Sequence, residues 1–191
     1  MLTDPFAALG LPRAAALDQV VLKAAYTTLT RDAHPDQTDG DEKRASELNT
    51  AFEILSSPEK RLKHLLELEA SDDAKTWKTI PLDGTMMGLF EKIAPFLHSV
   101  GDLAKKTQSA TTALAKALLA NEEMKLRELA EDRAAELNDL RDTLEAQLPD
   151  MDARRRAADA SVHRDIVFLQ AKLAYLAKWQ AQVREAFMAL V

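Results

Sequence analysis

The chain has 191 residues, 47% of them hydrophobic and 29% charged, which is long enough for a packed core and for two modest domains. A formal charge of -6 argues against nucleic acid or an anionic membrane as the main partner, because affinity there comes largely from clustered cations that release counterions. Cysteine is absent, which excludes disulfides, thiolate metal sites and a cysteine nucleophile, and permits a reducing compartment.

With Gly 5, Pro 7 and 5% aromatics against abundant Ala, Leu, Glu, Lys and Arg, an all-α fold with almost no strand is predicted. The start, Met1-Leu2-Thr3-Asp4-Pro5, has neither a basic nor an apolar leader region, and no later apolar run is long enough to span a bilayer, so the expected address is the cytoplasm. Asp4 reads as an N-cap with Pro5 at the first helical position, and Gly10 with Pro12 closes a short helix carrying Phe6 and Leu9. Asp18 caps a second helix running to about Asp32. Its Leu22, Ala25, Tyr26, Leu29 and Ala33 share one face, and Lys23, Thr27 and Arg31 lie opposite. Pro35 lacks an N–H and pushes His34 out of the α region, so the chain must turn in the polar stretch 33–40. Asp39 or Asp41 restarts it as a third helix with Ala45, Leu48, Phe52 and Leu55 on its apolar face. Ser57-Pro58 opens a fourth, whose Leu62, Leu65 and Leu66 can pack back on Phe52 and Leu55.

Residues 1–70 thus read as one small helical module, and 71–84, with Ser71-Asp72-Asp73, Trp77, Ile80-Pro81 and Gly84, as a linker docked through its apolar side chains. Residues 85–191 read as a long antiparallel, coiled-coil-like three-helix domain. Met86, Phe90, Ile93, Leu97, Val100 and Ala104 mark its first helix, in which Pro95 and Gly101 are candidate bends. That helix can end near Lys106 to Ser109 or near Ala120-Asn121. The earlier end pairs helices of similar length and is preferred. Leu137, Leu140, Leu144 and Leu148 mark the second, terminated by Pro149-Asp150. Val162, Ile166, Leu169, Leu173, Leu176, Val183, Phe187 and Leu190 form a seam of alternating three- and four-residue steps, interrupted by Gln180. The short connection at Pro149 predicts that the last two helices are antiparallel neighbours, roughly 50 to 60 Å long at 1.5 Å per residue.

His34-Pro35-Asp36 sits between two helices of similar length, and the turn sets an imidazole and a carboxylate side by side on a proline-stiffened backbone. That chemistry suits docking, with a ring to hydrogen-bond and an acid for bidentate Arg recognition, better than catalysis. Lys23 and Arg31 are candidate steering cations on the preceding helix. From Tyr26 through His34-Pro35-Asp36 to Leu48-Asn49-Thr50-Ala51-Phe52-Glu53-Ile54-Leu55 and Ser57-Pro58, the chain resembles a J domain, the module by which DnaJ-type co-chaperones engage a DnaK-type chaperone. Arg61 and Leu65-Leu66-Glu67-Leu68 end that stretch in a way that resembles the HscB type, the J-proteins of iron–sulfur cluster transfer. In the last helix, Val167-Phe168-Leu169 and Leu173-Ala174-Tyr175-Leu176 are similar to the same type.

The resemblance implies a co-chaperone and not an enzyme. His34, Pro35 and Asp36, with Arg31 and Lys23, would bind a DnaK/HscA-type chaperone and stimulate its ATPase, while the C-terminal helices present a client, an iron–sulfur assembly scaffold being one candidate. No cofactor is implied for this chain, and any cluster would be held by a partner. The chain also departs from the pattern. Thr27, Thr28 and Asp32 replace a basic cluster, Ala33 and Gln37 flank the tripeptide, and Met86 to Phe96 carries only Glu91 where the type has an acidic, leucine-bearing stripe. Two alternatives therefore stand: a J-protein, monomer or dimer, with a self-associating coiled coil and another client, and a J-like adaptor that binds without stimulating. Met86, Met87 and Phe90 read either as an adaptable client groove or as core. Arg154-Arg155-Arg156, ringed by Asp150, Asp152 and Asp159, reads as a solvated helix start. His64, His98 and His163 are isolated, which gives neither a metal constellation nor an acid–base pair.

Overall fold

Asp4 Oδ1 accepts the amide N–H groups of Phe6 (3.0 Å) and Ala7 (3.2 Å), and Pro5 fills the first turn, so α1 (Pro5–Ala8) starts where its orphan donors are satisfied. Gly10 ends that turn at φ +64°, the left-handed region in which a side chain is strained. In the computed structural model the described residues are 4–32, 40–70, 80 and 83–190. Asp18 Oδ1 accepts Val20 N–H at 2.7 Å and opens α2 (Gln19–Asp32). After it come α3 (Gly40–Ser56) and α4 (Pro58–Glu69). Ser57 stands at the cap position of α4, but its side chain makes no capping hydrogen bond, so Pro58 alone carries the start signal. Then follow α5 (Gly84–Ser109), α6 (Ala113–Glu145), α7 (Leu148–Arg156) and α8 (Val162–Ala189), and no strand occurs among the described residues.

Two expectations for the long helices change. α5 ends at Ser109, the earlier of the two sites, and continues through Pro95 and Gly101. Its buried seam is Met86, Leu89, Ile93, Phe96, Val100 and Leu103, so Phe90, Leu97 and Ala104 stand outside the fully buried set. Pro149 does not simply terminate a helix. α6 stops at Glu145, and Pro149 occupies the first turn of α7, an extra helix that the sequence reading did not contain. α6 and α8 are antiparallel, since Arg127 donates to the Leu190 carbonyl while Arg141 and Asn138 both bond Gln180 (3.0 and 2.8 Å). At 33 residues α6 is about 50 Å long.

Two compact units divide the chain differently from the modules 1–70, 71–84 and 85–191. The first comprises 1–80 with 144–174, and the second 81–143 with 175–191. In the first, α3 packs against α1, α2 and α4. The N-terminal half of α8 belongs to this unit, where Val167, Gln170 and Ala171 are buried together with the seam residues Ile166 and Leu173. The single apolar stripe expected there is therefore buried on more than one face. Of the linker, Ile80 is half-buried, and Trp77 lies outside the described residues.

The arginine run ends α7 rather than starting a helix, and two of its members are engaged. Arg154 donates to Asp159 (2.7 Å) and Asp165 (2.6 Å), and Asp159 also accepts the Ser161 amide (2.8 Å). The Arg154 guanidinium, helped by the Ser161 donors, lowers the Asp159 carboxyl to about 2. A carboxylate depressed in the folded state adds stability above its ordinary value, about 3.9, and loses it as pH falls through the folded value. Asp159→Asn is therefore expected to flatten the acid limb between roughly pH 4 and pH 2. Urea midpoints measured across that window in both proteins check this, and parallel curves would contradict it.

Candidate functional site

The residues around the predicted docking tip form a brace between α2 and α3. Leu22, Leu48, Ala51 and Leu55 are buried between the helices. Beside them the Tyr26 ring stacks on Phe52, with centroids 4.4 Å apart and planes at 29°, and the Tyr26 hydroxyl donates to Asn49 Oδ1 at 2.6 Å. Tyr26 thus makes one aromatic and one polar tie, fixing both separation and rotation of the two helices. His34, Pro35 and Asp36 lie outside the described residues, as do Ala33 and Gln37. Lys23 and Arg31 are exposed on α2. Around them, Val20, Val21, Ala24, Thr27 and Thr28 are exposed as well, so this face carries few cations.

Sequence reasoning missed a polar joint on the other side of the same unit. Asp152 in α7, 6% exposed, accepts the amides of Ala15 and Ala16, both at 2.8 Å, one on each carboxylate oxygen. Arg155 donates to Asp152 (2.6 Å) and to Glu69 at the end of α4. Burial opposes the charge of Arg155, but Glu69 and Asp152 together raise its pKa further above the ordinary arginine value. Arg61 in α4, 2% exposed, donates Nε to the Ala15 carbonyl (2.8 Å) and Nη1 to that of Leu55. Ala15 is therefore held by its N–H and its C=O from two different helices. Nothing in the spacing of Asp152 announces this, since it sits in a charged run that reads as surface.

In the second unit the predicted client residues separate. Met86 is 1% exposed and belongs to the core, where it cannot meet a client, whereas Met87 (44%) and Phe90 (45%) are open to solvent. Phe90 lies 6.3 Å from Trp179, and Trp179 lies 5.9 Å from Tyr175, ring centre to ring centre. Trp179 is buried and Tyr175 partly exposed, so α5 and α8 together present Met87, Phe90 and Tyr175 on a rigid aromatic base. The four-residue step from Tyr175 to Trp179 was the available sequence signal.

No group of three or more metal-ligating side chains occurs among the described residues. His64 is pushed below the ordinary imidazole value by burial, Glu67 opposing, and its Nδ1 has no hydrogen-bond partner. No described helix is long and apolar enough to cross a membrane.

Residues 4–64 match the DnaJ domain family. The chaperone protein DnaJ of Synechococcus elongatus is 42% identical over 64 residues, which covers 32% of this chain and 22% of that protein. The co-chaperone protein HscB homolog of Cupriavidus taiwanensis is 38% identical over 77 residues, 36% of this chain and 44% of that one. The chain therefore spans less than half the length of these curated relatives. Chaperone HscB from Vibrio cholerae shares the fold, with a TM-score of 0.57 at 17% identity over 99% of this chain and 100% of that structure.

Proposed function

We propose, starting from a chain that carries a DnaJ domain at 4–64 within an HscB-like helical fold, that it is a J-domain co-chaperone of an ATP-driven DnaK/HscA-type chaperone. The observation that carries this reading is the DnaJ-domain match itself, within which His34-Pro35-Asp36 falls between two helices braced by Tyr26, Asn49 and Phe52. Residues 1–70 would supply the docking face. His34, Pro35 and Asp36 contact the chaperone, Arg31 and Lys23 steer the approach, and the scarcity of cations around them makes that approach weakly salt-dependent. The chain has no reaction of its own in this scheme and accelerates ATP hydrolysis only through the partner.

Residues 85–191 would hold the client, against Met87 and Phe90 with Tyr175 beside them. An iron–sulfur assembly scaffold is the proposed client. The likeness to the HscB homolog supports it, and a chain without cysteine leaves the cluster to the client. A second reading, an adaptor that binds the chaperone without stimulating it, is favoured by Val20 and Thr27 on the outward face of α2.

Single-turnover ATP hydrolysis by the chaperone separates the two. Addition of this protein is expected to raise the rate, and His34→Gln to remove about tenfold or more of that stimulation, since a lost transition-state contact of 1.4 kcal/mol already costs that factor. Equal stimulation by the two proteins would end the docking role of His34, and binding without stimulation would select the adaptor.

A further inference from the structure

We propose that a cleft between α6 and α8 in the second unit is the contact through which two copies of this chain associate, each copy's α6 lying over the other's α8. The cleft, 480 Å³, is lined by Ala130, Glu131 and Ala134 of α6 and by Gln180, Arg184 and Phe187 of α8. Its floor is apolar, with Val183 and Ala130 buried, and the Gln180 amide is taken up internally by Asn138 and Arg141, which leaves Glu131 and Arg184 as the polar groups on its walls. It asks for apolar surface, not for a polar ligand.

Charge identifies the occupant. On α6, Glu136 pairs with Arg133 and Lys92, and Glu122 with Lys106. Glu131 on one wall and Arg184 on the other are exposed and make no ion pair among the described residues. The antiparallel register set by Arg127–Leu190 and Arg141–Gln180 puts Glu131 level with Phe187, about one helical turn from Arg184. A two-fold axis parallel to the helices exchanges the walls without changing height. Each Glu131 then comes within side-chain reach of the second copy's Arg184, and the two ion pairs are equivalent by symmetry. An axis perpendicular to the helices and level with Arg184 would instead stack Arg184 on its own copy, which like charge disfavours. The contact is confined to one cleft, so the dimer is weak, and its two exposed ion pairs are screened as salt is raised.

Sedimentation of the full chain over a concentration series tests this, with a rise toward twice the monomer mass expected. Glu131→Arg and Arg184→Glu are each expected to weaken association about tenfold, two exposed pairs being turned repulsive at once. The double exchange should restore it to near the native strength. Both positions are exposed, so all three variants should keep the native circular dichroism spectrum. A chain that stays monomeric throughout, or a dimer indifferent to either single exchange, or a double exchange without recovery, overturns the proposal. So does a monomer in which Ala134→Glu abolishes capture of the iron–sulfur scaffold, since the cleft would then belong to that client. The readout is mass and not ATP hydrolysis, so its failure leaves the co-chaperone reading untouched.

Discussion

Asp152→Ala is expected to lower the unfolding free energy by about 3 to 4 kcal/mol, because truncation takes the carboxylate at once from a partly buried guanidinium, from the buried Ala15 amide and from the part-buried Ala16 amide. The carboxylate accepts from Ala15 and Ala16 at 2.8 Å and from Arg155 at 2.6 Å, and water reaches little of it at 6% exposure. Arg155 would retain Glu69, at the end of α4, so part of its charge stays compensated, and this sets the expectation below the top of the range for a broken buried pair. Urea unfolding followed by far-ultraviolet circular dichroism gives the value. A loss below about 1 kcal/mol, the size of an exposed pair, would show that the joint contributes no more than surface charge.

Arg61→Met is expected to cost about 3 kcal/mol. The substitution keeps most of the apolar stem but removes the donors that satisfy the carbonyls of Ala15 and Leu55, in a site where the side chain is 2% exposed. Leu55 lies in the last turn of α3, where carbonyls have no partner inside the helix, so Arg61 does for that helix end what a cap would do. Both substitutions act on Ala15, one through its N–H and one through its C=O. The double variant should therefore lose less than the sum of the two by roughly 0.5 kcal/mol or more, the sign of residues sharing a partner. Strict additivity would mean that the two helices grip the segment independently.

This joint also shows where sequence reasoning stops. Asp4-Pro5, Asp18 and Pro58 were legible, because capping and chain-breaking are settled by a few neighbouring residues, whereas the end of α5 was chosen between two sites on helix length alone. Tyr26, Asn49 and Phe52 were legible as flanks of the tripeptide, though which atoms they join was not. Asp152 was invisible, since its partners are 136 and 137 residues away and its neighbours are charged.

The amino-acid order by itself determined an all-helical chain, the ends of most helices and a DnaJ-like segment before residue 70, since helix period, capping and proline geometry act over a few residues. Tertiary structure alone decided which phase of a seam is buried. Leu89-Phe90 and Phe96-Leu97 offer two stripes of equal apolarity, and only the packed neighbours put Leu89 and Phe96 in the core and leave Phe90 open beside Trp179. It also decided that residues 144–174 complete the N-terminal unit, because a carboxylate is stable under a packed surface only where donors from distant segments meet it, as at Asp152.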